Sequence, residues 1–113
     1  MMDKISLTIP ADEASRGVAT LVLGGVGSRL DLPYERLDDL QLAVLSVLGA
    51  GAGAEVTVEL VADGDAVLVS VGPLVAGSGT NGALTRVLDP LVDDVTPSVR
   101  DGDEWLTLRL ARS

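Results

Sequence analysis

The chain has 113 residues, 47% of them hydrophobic, a size and composition suited to a single domain spanning residues 1–113. Its formal net charge is −9, which would repel nucleic-acid phosphates and anionic lipid head groups, so neither nucleic acid nor membrane is expected as a partner. The absence of Cys and His excludes disulfides, thiolate nucleophiles, imidazole bases and the usual zinc ligand sets.

The first half of the chain predicts one strand followed by two helices. Apolar residues alternate with polar ones over residues 5–9, which predicts a strand that ends at Pro10. Residues 11–30 have helical apolar spacing, and glycines near the end of this segment are expected to weaken the helix there. Asp31 and Pro33 then signal the start of a second helix, which is predicted to run to residue 49.

The middle of the chain predicts a hairpin and a long loop. Alternation over residues 55–60 and the apolar run of residues 67–71 flank an Asp63-Gly64 turn, so we expect two antiparallel strands in the centre of a sheet. Residues 72–82 are dense in Gly, Ser, Thr, Asn and Pro, which predicts a loop with no regular element.

The last third predicts a helix, a turn and a strand. Residues 84–92 have helical apolar spacing, although Pro90 is expected to kink or split that helix. A turn at Asp101-Gly102 precedes alternation over residues 105–110. Together the elements predict an α+β fold: a two-layer sandwich whose mixed or antiparallel sheet, of about four or five strands, carries the helices on one face.

The N-terminal residues do not predict export or membrane insertion. Charged residues and strand-like alternation in residues 1–10 are unlike the apolar core of a signal peptide. Every apolar stretch is interrupted well before the ~20 residues that a spanning helix needs. The expected compartment is therefore the cytoplasm.

Four segments together resemble a known family. In order and at nearly unbroken spacing they are Ile5-Ser6-Leu7-Thr8-Ile9-Pro10-Ala11, Gly25-Val26-Gly27-Ser28-Arg29-Leu30, Asp38-Asp39-Leu40-Gln41-Leu42-Ala43-Val44 and Leu91-Val92-Asp93-Asp94-Val95. This set resembles the anti-sigma-factor serine kinases, which belong to the histidine-kinase-like ATPases of the Bergerat (GHKL) superfamily. The resemblance implies a Bergerat-like fold, dimerisation, and binding of a sigma factor or its regulator, with residues 91–95 at the end of the third helix.

The resemblance also implies that the magnesium-binding motif is lost. The family carries a Glu and an Asn four residues apart on one helix face, where the Glu activates the attacking group and the Asn holds Mg²⁺. The matching positions here are Ser46 and Ala50. A hydroxyl without a base is a poor proton acceptor and a methyl group cannot bind magnesium, so neither replaces the family's residue.

Two further nucleotide motifs of the family are incomplete. The family's central strand ends in an Asp that reads adenine, whereas residues 67–74 contain no carboxylate. The family's Gly-x-Gly-Leu motif corresponds to Gly82-Ala83-Leu84-Thr85, which keeps only the first glycine. We therefore expect no ATP cofactor, and we expect side chains such as Leu74 and Leu84 to fill the region of the pocket.

Other candidate sites have simpler interpretations. The segment of residues 77–82 can be interpreted as a phosphate cradle, but with no Lys in it a flexible loop is favoured. Asp93 and Asp94 are interpreted as a solvated helix end, because sequence neighbours point to different sides. Trp105 fits either packing or an interface. The serines at positions 15, 28 and 46 lack a base at a useful spacing, so no catalytic, cofactor-binding or metal-binding residue is assigned.

The function expected from these observations is that of a non-catalytic pseudokinase. It would act as an anti-sigma-like regulatory module that binds a protein partner in transcriptional or partner-switch control. Two alternatives remain open: an active ATP-dependent serine kinase with atypical motifs, and a structural subunit that pairs with an intact kinase homologue. The sequence leaves open whether the chain forms a homodimer or a heterodimer.

Overall fold

A computed structural model describes residues 4–78 and 81–112, without the side chains of residues 50–52. Within these residues the chain forms five strands and three helices. In chain order they are β1 (Lys4–Pro10), α1 (Glu13–Arg29), α2 (Tyr34–Gly51), β2 (Ala52–Asp63), β3 (Ala66–Leu74), α3 (Gly82–Leu88), β4 (Asp94–Arg100) and β5 (Asp103–Ala111). The predicted α+β class is confirmed.

The five strands form one antiparallel sheet in the order β1-β2-β3-β5-β4. Directly paired residues project from the same face, so the register divides the sheet into two surfaces. One surface, which includes Val58, Val71 and Leu106, is buried in the core with α1, α2 and α3. We call the opposite surface, which includes Glu59 and Ser70, the open face. This arrangement agrees with the expected two-layer sandwich.

The Asp63-Gly64 hairpin is confirmed. Gly64 has a φ of 59°, a left-handed conformation that glycine adopts without steric cost. The hairpin joins β2 and β3, and each of these strands is hydrogen-bonded on both sides, so both are interior strands. β2 begins at Ala52, several residues before the alternation that identified it.

The long helix α1 continues through its glycines. Asp12 caps it, because its Oδ1 accepts a hydrogen bond from the Ser15 backbone N–H at 2.7 Å. At Gly27 a Cβ atom would overlap the Leu37 side chain, so glycine allows α1 and α2 to approach closely. The glycines therefore do not end the helix, which extends to Arg29, and Gly27 is a packing position.

Two predictions in the second half are wrong. Residues 72–74 continue β3 and do not belong to the loop, because Leu74 pairs with both Ala52 and Glu104. Residues 91–95 are not the end of a helix. The helix α3 ends at Leu88, just before Pro90, and the chain then enters β4, which pairs with β5 through the turn at residues 101–102.

Candidate protein-binding surface

The two positions that the resemblance assigns to a magnesium motif, Ser46 and Ala50, lie in the second half of α2. Ser46 is half-buried, and its Oγ donates a hydrogen bond to the Leu42 carbonyl at 2.8 Å. This bond ties the hydroxyl to its own helix. Ala50 belongs to the last turn of α2, and its side chain lies outside the described residues.

Residues within and beside the other two assigned motifs are used in packing and capping. Leu74 and Leu84 are both buried in the main core cluster. Asn81 is the N-cap of α3, and its Oδ1 accepts from the backbone N–H groups of Ala83 and Leu84 at 2.9 and 3.3 Å. The first amides of this short helix are thus already bonded within the chain.

Gly77, the first residue of the segment that can be interpreted as a phosphate cradle, contacts a carboxylate of the chain itself. The backbone N–H of Gly77 donates to the Glu104 side chain on β5. Gly79 and Thr80, which belong to the same segment, lie outside the described residues. This contact holds the start of the segment against β5.

The neighbouring aspartates do not form a solvated helix end, since Asp93 precedes β4 and Asp94 begins it. Asp93 Oδ2 accepts from Arg36 Nη2 at 2.8 Å and from the Ala111 backbone N–H at 2.6 Å. Arg36 also donates to the Ala111 carbonyl at 3.2 Å. Asp93 therefore holds α2 against the end of β5. This structural role depends on contacts between residues that are far apart in the sequence.

The open face of the sheet carries an ion-pair cluster around Glu59. Glu59 on β2 accepts from Arg100 Nη1 at 2.7 Å and pairs with Lys4 Nζ at 3.2 Å, and its side chain is 14% exposed. Burial raises the pKa of Glu59, but hydrogen bonds from Arg100 and Lys4 outweigh this effect and hold the pKa below its ordinary value. These residues lie 41 or more positions apart, so no local motif signals them.

Trp105 packs on the same face and is 9% exposed, so the structure favours packing over an exposed interface aromatic. Its ring lies over Gly72, where a Cβ atom would overlap it. The Arg100 guanidinium lies over the indole, 4.2 Å from the ring centroid. Hydroxyl pairs add to this polar surface, with Ser70 and Thr107 at 3.1 Å and Thr8 and Thr57 at 2.7 Å.

The outer surface of the helical layer is different, because it exposes large apolar side chains. Five of the seven exposed large hydrophobic residues found among the described residues lie on helices. They are Val18 and Leu21 on α1, Tyr34 and Leu42 on α2, and Val87 on α3. None of the seven lies on the open face, where the apolar Trp105 is covered by Arg100.

On α2 the exposed apolar residues are interleaved with acids. Tyr34, Glu35, Asp38 and Leu42 are all exposed, and their spacing places them within about a third of the helix circumference. We call these four residues the acidic face of α2. The only basic residue of α2, Arg36, is engaged by Asp39 and Asp93. The acidic face therefore combines an exposed aromatic ring, an exposed leucine and two carboxylates.

Sequence reasoning identified the helix α2 and missed its acidic face. A signal was present, because Tyr34 and Leu42 fall outside the stripe formed by the buried Leu40, Val44 and Val47. An apolar residue on the polar side of an amphipathic helix is expected to be exposed, which makes it a candidate binding residue.

No described group of three or more acidic side chains converges as a metal site would require. No helix in the described part of the chain is long and apolar enough to span a membrane. No protein-family model matches the sequence, and no curated protein matches it as a relative.

Proposed function

We propose that this protein is a non-catalytic regulatory module that binds a basic protein partner through the acidic face of α2. The observation that carries the proposal is the exposure of Tyr34 (79%) and Leu42 (53%) beside the carboxylates of Glu35 and Asp38. Exposed apolar side chains set among charges are typical of recognition surfaces, and tyrosine is enriched among residues that dominate binding energy.

The negative charge of the chain supports a basic protein as the partner. The chain has a net charge of −9, and the acidic face presents two carboxylates with no basic residue among its four members. A positively charged surface on the partner would be attracted over several ångströms, which raises the association rate and weakens with salt. A basic amphipathic helix fits best, because its apolar stripe would cover Tyr34 and Leu42 while its Lys and Arg residues meet the acids.

The resemblance to anti-sigma-factor serine kinases supports a regulatory role. We propose that the module acts in the cytoplasm on a sigma factor or on a regulator of one, by occupying a surface without transferring phosphate. Ser46 in place of the family's Glu and Ala50 in place of its Asn support binding that does not depend on ATP. Regulation would then come from competition between partners or from the amount of protein.

The test uses the whole chain as bait in an extract of its native cells, followed by identification and purification of the captured protein. The affinity of the purified complex is then measured at low and high salt, with and without ATP, ADP and Mg²⁺. We expect affinity to fall with salt and to be unchanged by nucleotide. A nucleotide-dependent affinity would favour the active kinase, and capture of an intact kinase homologue would favour the structural subunit.

A pair of charge reversals locates the surface. Asp38→Lys changes the acidic face, whereas Asp103→Lys makes the same change of net charge on an exposed residue at the start of β5. We expect Asp38→Lys to weaken the complex by about tenfold or more and Asp103→Lys to have a much smaller effect. Equal effects of the two variants would show that net charge alone attracts the partner and would remove the acidic face as its site.

A further inference from the structure

The two outer strands of the sheet differ in how their free edges are protected. Among the described strands, β1 pairs only with β2 and β4 pairs only with β5, so each has one free edge. β4 carries Pro97 in its interior and Asp94 at its start, and both residues discourage the addition of another strand. β1 has neither proline nor charge between Lys4 and Pro10. Its free edge is therefore open to an added strand.

The register of β1 fixes which of its backbone groups face outward. The Ala11 N–H donates to the Ala54 carbonyl at 3.1 Å, which continues the antiparallel register of β1 and β2 by one residue. Opposed residues in such a pair alternate between hydrogen-bonded and non-hydrogen-bonded. The odd-numbered residues of β1 therefore bond to β2, and the even-numbered residues direct their N–H and C=O groups outward. Of these, Ser6 and Thr8 lie in the middle of the strand.

A cleft opens beside this edge, on the helical side of the sheet. It has a volume of about 330 Å³, lies between the start of β1 and the end of α1, and is lined by Lys4, Ile5, Arg29 and Leu30. Ile5 and Leu30 are only half-buried, so apolar surface is left uncovered there. A strand added to β1 would turn every second side chain toward this cleft. An apolar side chain in that position would cover Ile5 and Leu30.

The charges around the cleft are positive. Arg29 is exposed at the end of α1 and forms no ion pair with a described residue. The Lys4 ammonium lies on the open-face side of the same strand end, where it pairs with Glu59 at 3.2 Å while 56% of the side chain stays exposed. Neither of the other two lining residues is acidic. In a chain of net charge −9, this end of β1 is a local cationic site that attracts a carboxylate.

We propose that β1 is the docking site for an acidic segment of a partner protein, which adds to the sheet as an extended strand. The backbone of the segment bonds to the outward groups of Ser6 and Thr8, a mode of recognition that gives affinity with little sequence selectivity. Selectivity comes from the start of β1, where an apolar side chain enters the cleft and a carboxylate meets Arg29. Asp12 and the exposed Glu55 lie near the other end of β1, which keeps the acids of the segment away from that end.

The contact is short, so the complex is expected to be weak. A segment that pairs with the seven residues of β1 buries less surface than a standard stable interface, and we expect a dissociation constant on the order of tens to hundreds of micromolar. This site is cationic and uses β1 and the end of α1, whereas the acidic face of α2 is proposed to bind a basic surface. Either proposal can therefore fail without the other.

The probe is the capped peptide Asp-Glu-Val-Thr-Val-Thr-Val, together with the peptide of reversed sequence, since the added strand can run in either direction. Its first two residues place one carboxylate on each side of the strand, and its valines face the cleft. Titration of the whole chain, followed by the NMR shifts of its backbone amides, gives the affinity and the position. We expect the amides of Ser6 and Thr8 to shift with one of the two peptides. The same peptide with Lys-Lys in place of Asp-Glu should bind about fivefold more weakly or less.

Backbone methylation of the peptide tests whether it binds as a strand. One version is N-methylated at the residues whose N–H groups face one edge of the peptide, and a second version at those that face the other edge. Only one edge can pair with β1, so one version should lose binding and the other should keep it. This comparison leaves the protein unchanged and therefore does not depend on the folding of any variant.

Variants of the chain test the two parts of the site. Ser6→Pro removes an outward N–H and leaves the bonds between β1 and β2, and it should raise the dissociation constant by about tenfold or more, whereas Ser6→Ala should bind like the unchanged chain. Arg29→Glu should weaken binding by about fivefold, and Arg86→Glu, the same reversal on an exposed arginine of α3, should have a much smaller effect. Unfolding curves check that the variants are folded.

Four results would overturn the proposal. One is the absence of amide shifts with either peptide up to about 2 mM, a concentration well above the expected dissociation constant. Equal binding of the two methylated versions would show that the peptide does not pair as a strand. Equal affinity for the Lys-Lys peptide would remove the selectivity for acids. Concentration-dependent shifts of Ser6 and Thr8 without peptide would assign this edge to a second copy of the chain.

Discussion

The open face of the sheet and the outer surface of the helical layer both lie away from the core, yet their side chains differ in the contacts they make. On the open face, Glu59 bonds two cations, and Trp105 is covered by Arg100. On the helical layer, Leu21 and Tyr34 are each 79% exposed. A surface whose groups are already bonded to each other gains little from a partner, whereas uncovered apolar groups gain free energy when a partner covers them.

This contrast indicates that the two surfaces have different roles. The open face contributes to the stability of the sheet, since its contacts join β1, β2, β3, β4 and β5. The helical layer adds little stability through its exposed residues and is available for recognition. Substitutions on the open face should therefore change the free energy of unfolding most, and substitutions on the helical surface should change association.

The largest expected loss of stability follows from Gly72→Ala. The added Cβ atom would overlap the Trp105 ring, and forcing extra volume into a packed site costs typically 1–3 kcal/mol, so we expect a loss of about 3 kcal/mol. In a Trp105→Ala background the ring is absent and the same change should cost less than about 0.5 kcal/mol. Denaturant unfolding of the unchanged chain, the two single variants and the double variant measures this coupling. Losses of stability that simply add in the double variant would contradict the contact between Gly72 and Trp105.

The next largest effect concerns Glu59. Glu59→Gln removes the charge that Arg100 and Lys4 share, and we expect a loss of about 2 kcal/mol at neutral pH, a value typical of hydrogen bonds to a charged group. Because the pKa of Glu59 is lower in the folded chain than in the unfolded chain, this stabilisation is present above the unfolded pKa and is lost as the pH falls through the folded pKa.

Unfolding curves of the unchanged chain and of Glu59→Gln at several pH values check both statements. The difference in stability between the two chains should shrink steadily as the solution becomes acidic enough to protonate folded Glu59. A difference that stays constant down to strongly acidic pH would show that the carboxylate charge does not matter. Glu55→Gln, on the exposed end of the same strand, is the matched control.

Sequence patterns predicted the local elements of the fold but not the contacts between distant residues. Local periodicity and the Asp63-Gly64 turn predicted seven of the eight described elements and the α+β class, because these depend on neighbouring residues. The strand β4 was missed, since Pro97 and alternating polar residues make it a weak strand that pairing with β5 alone stabilises. The Glu59 cluster and the Asp93 contacts join distant residues, which no local pattern shows.

On the helical side the expected change in stability is smaller and has the opposite sign. Gly17→Ala and Gly25→Ala fill open space on a helix and should each stabilise the chain by about 0.5–1 kcal/mol. Denaturant unfolding of the unchanged chain and of the two variants measures this gain. A loss of stability in either variant would show that the added methyl group meets another atom of the chain.

Substitutions on the acidic face of α2 have the smallest expected effect on stability. Comparing their effects on unfolding and on affinity decides whether that face is a recognition surface. Tyr34→Ala and Asp38→Lys alter exposed side chains, and Asp38 forms no ion pair with a described residue, so the free energy of unfolding should change by less than about 0.5 kcal/mol. A residue kept for binding should have a large effect on affinity and almost none on folding, because Tyr34 makes its contacts only when the partner covers it. The measurement pairs unfolding curves with partner affinity for the same variants. Should Tyr34→Ala destabilise the chain by about as much as a core substitution, the ring would be part of the fold, and the acidic face would lose its strongest argument for binding.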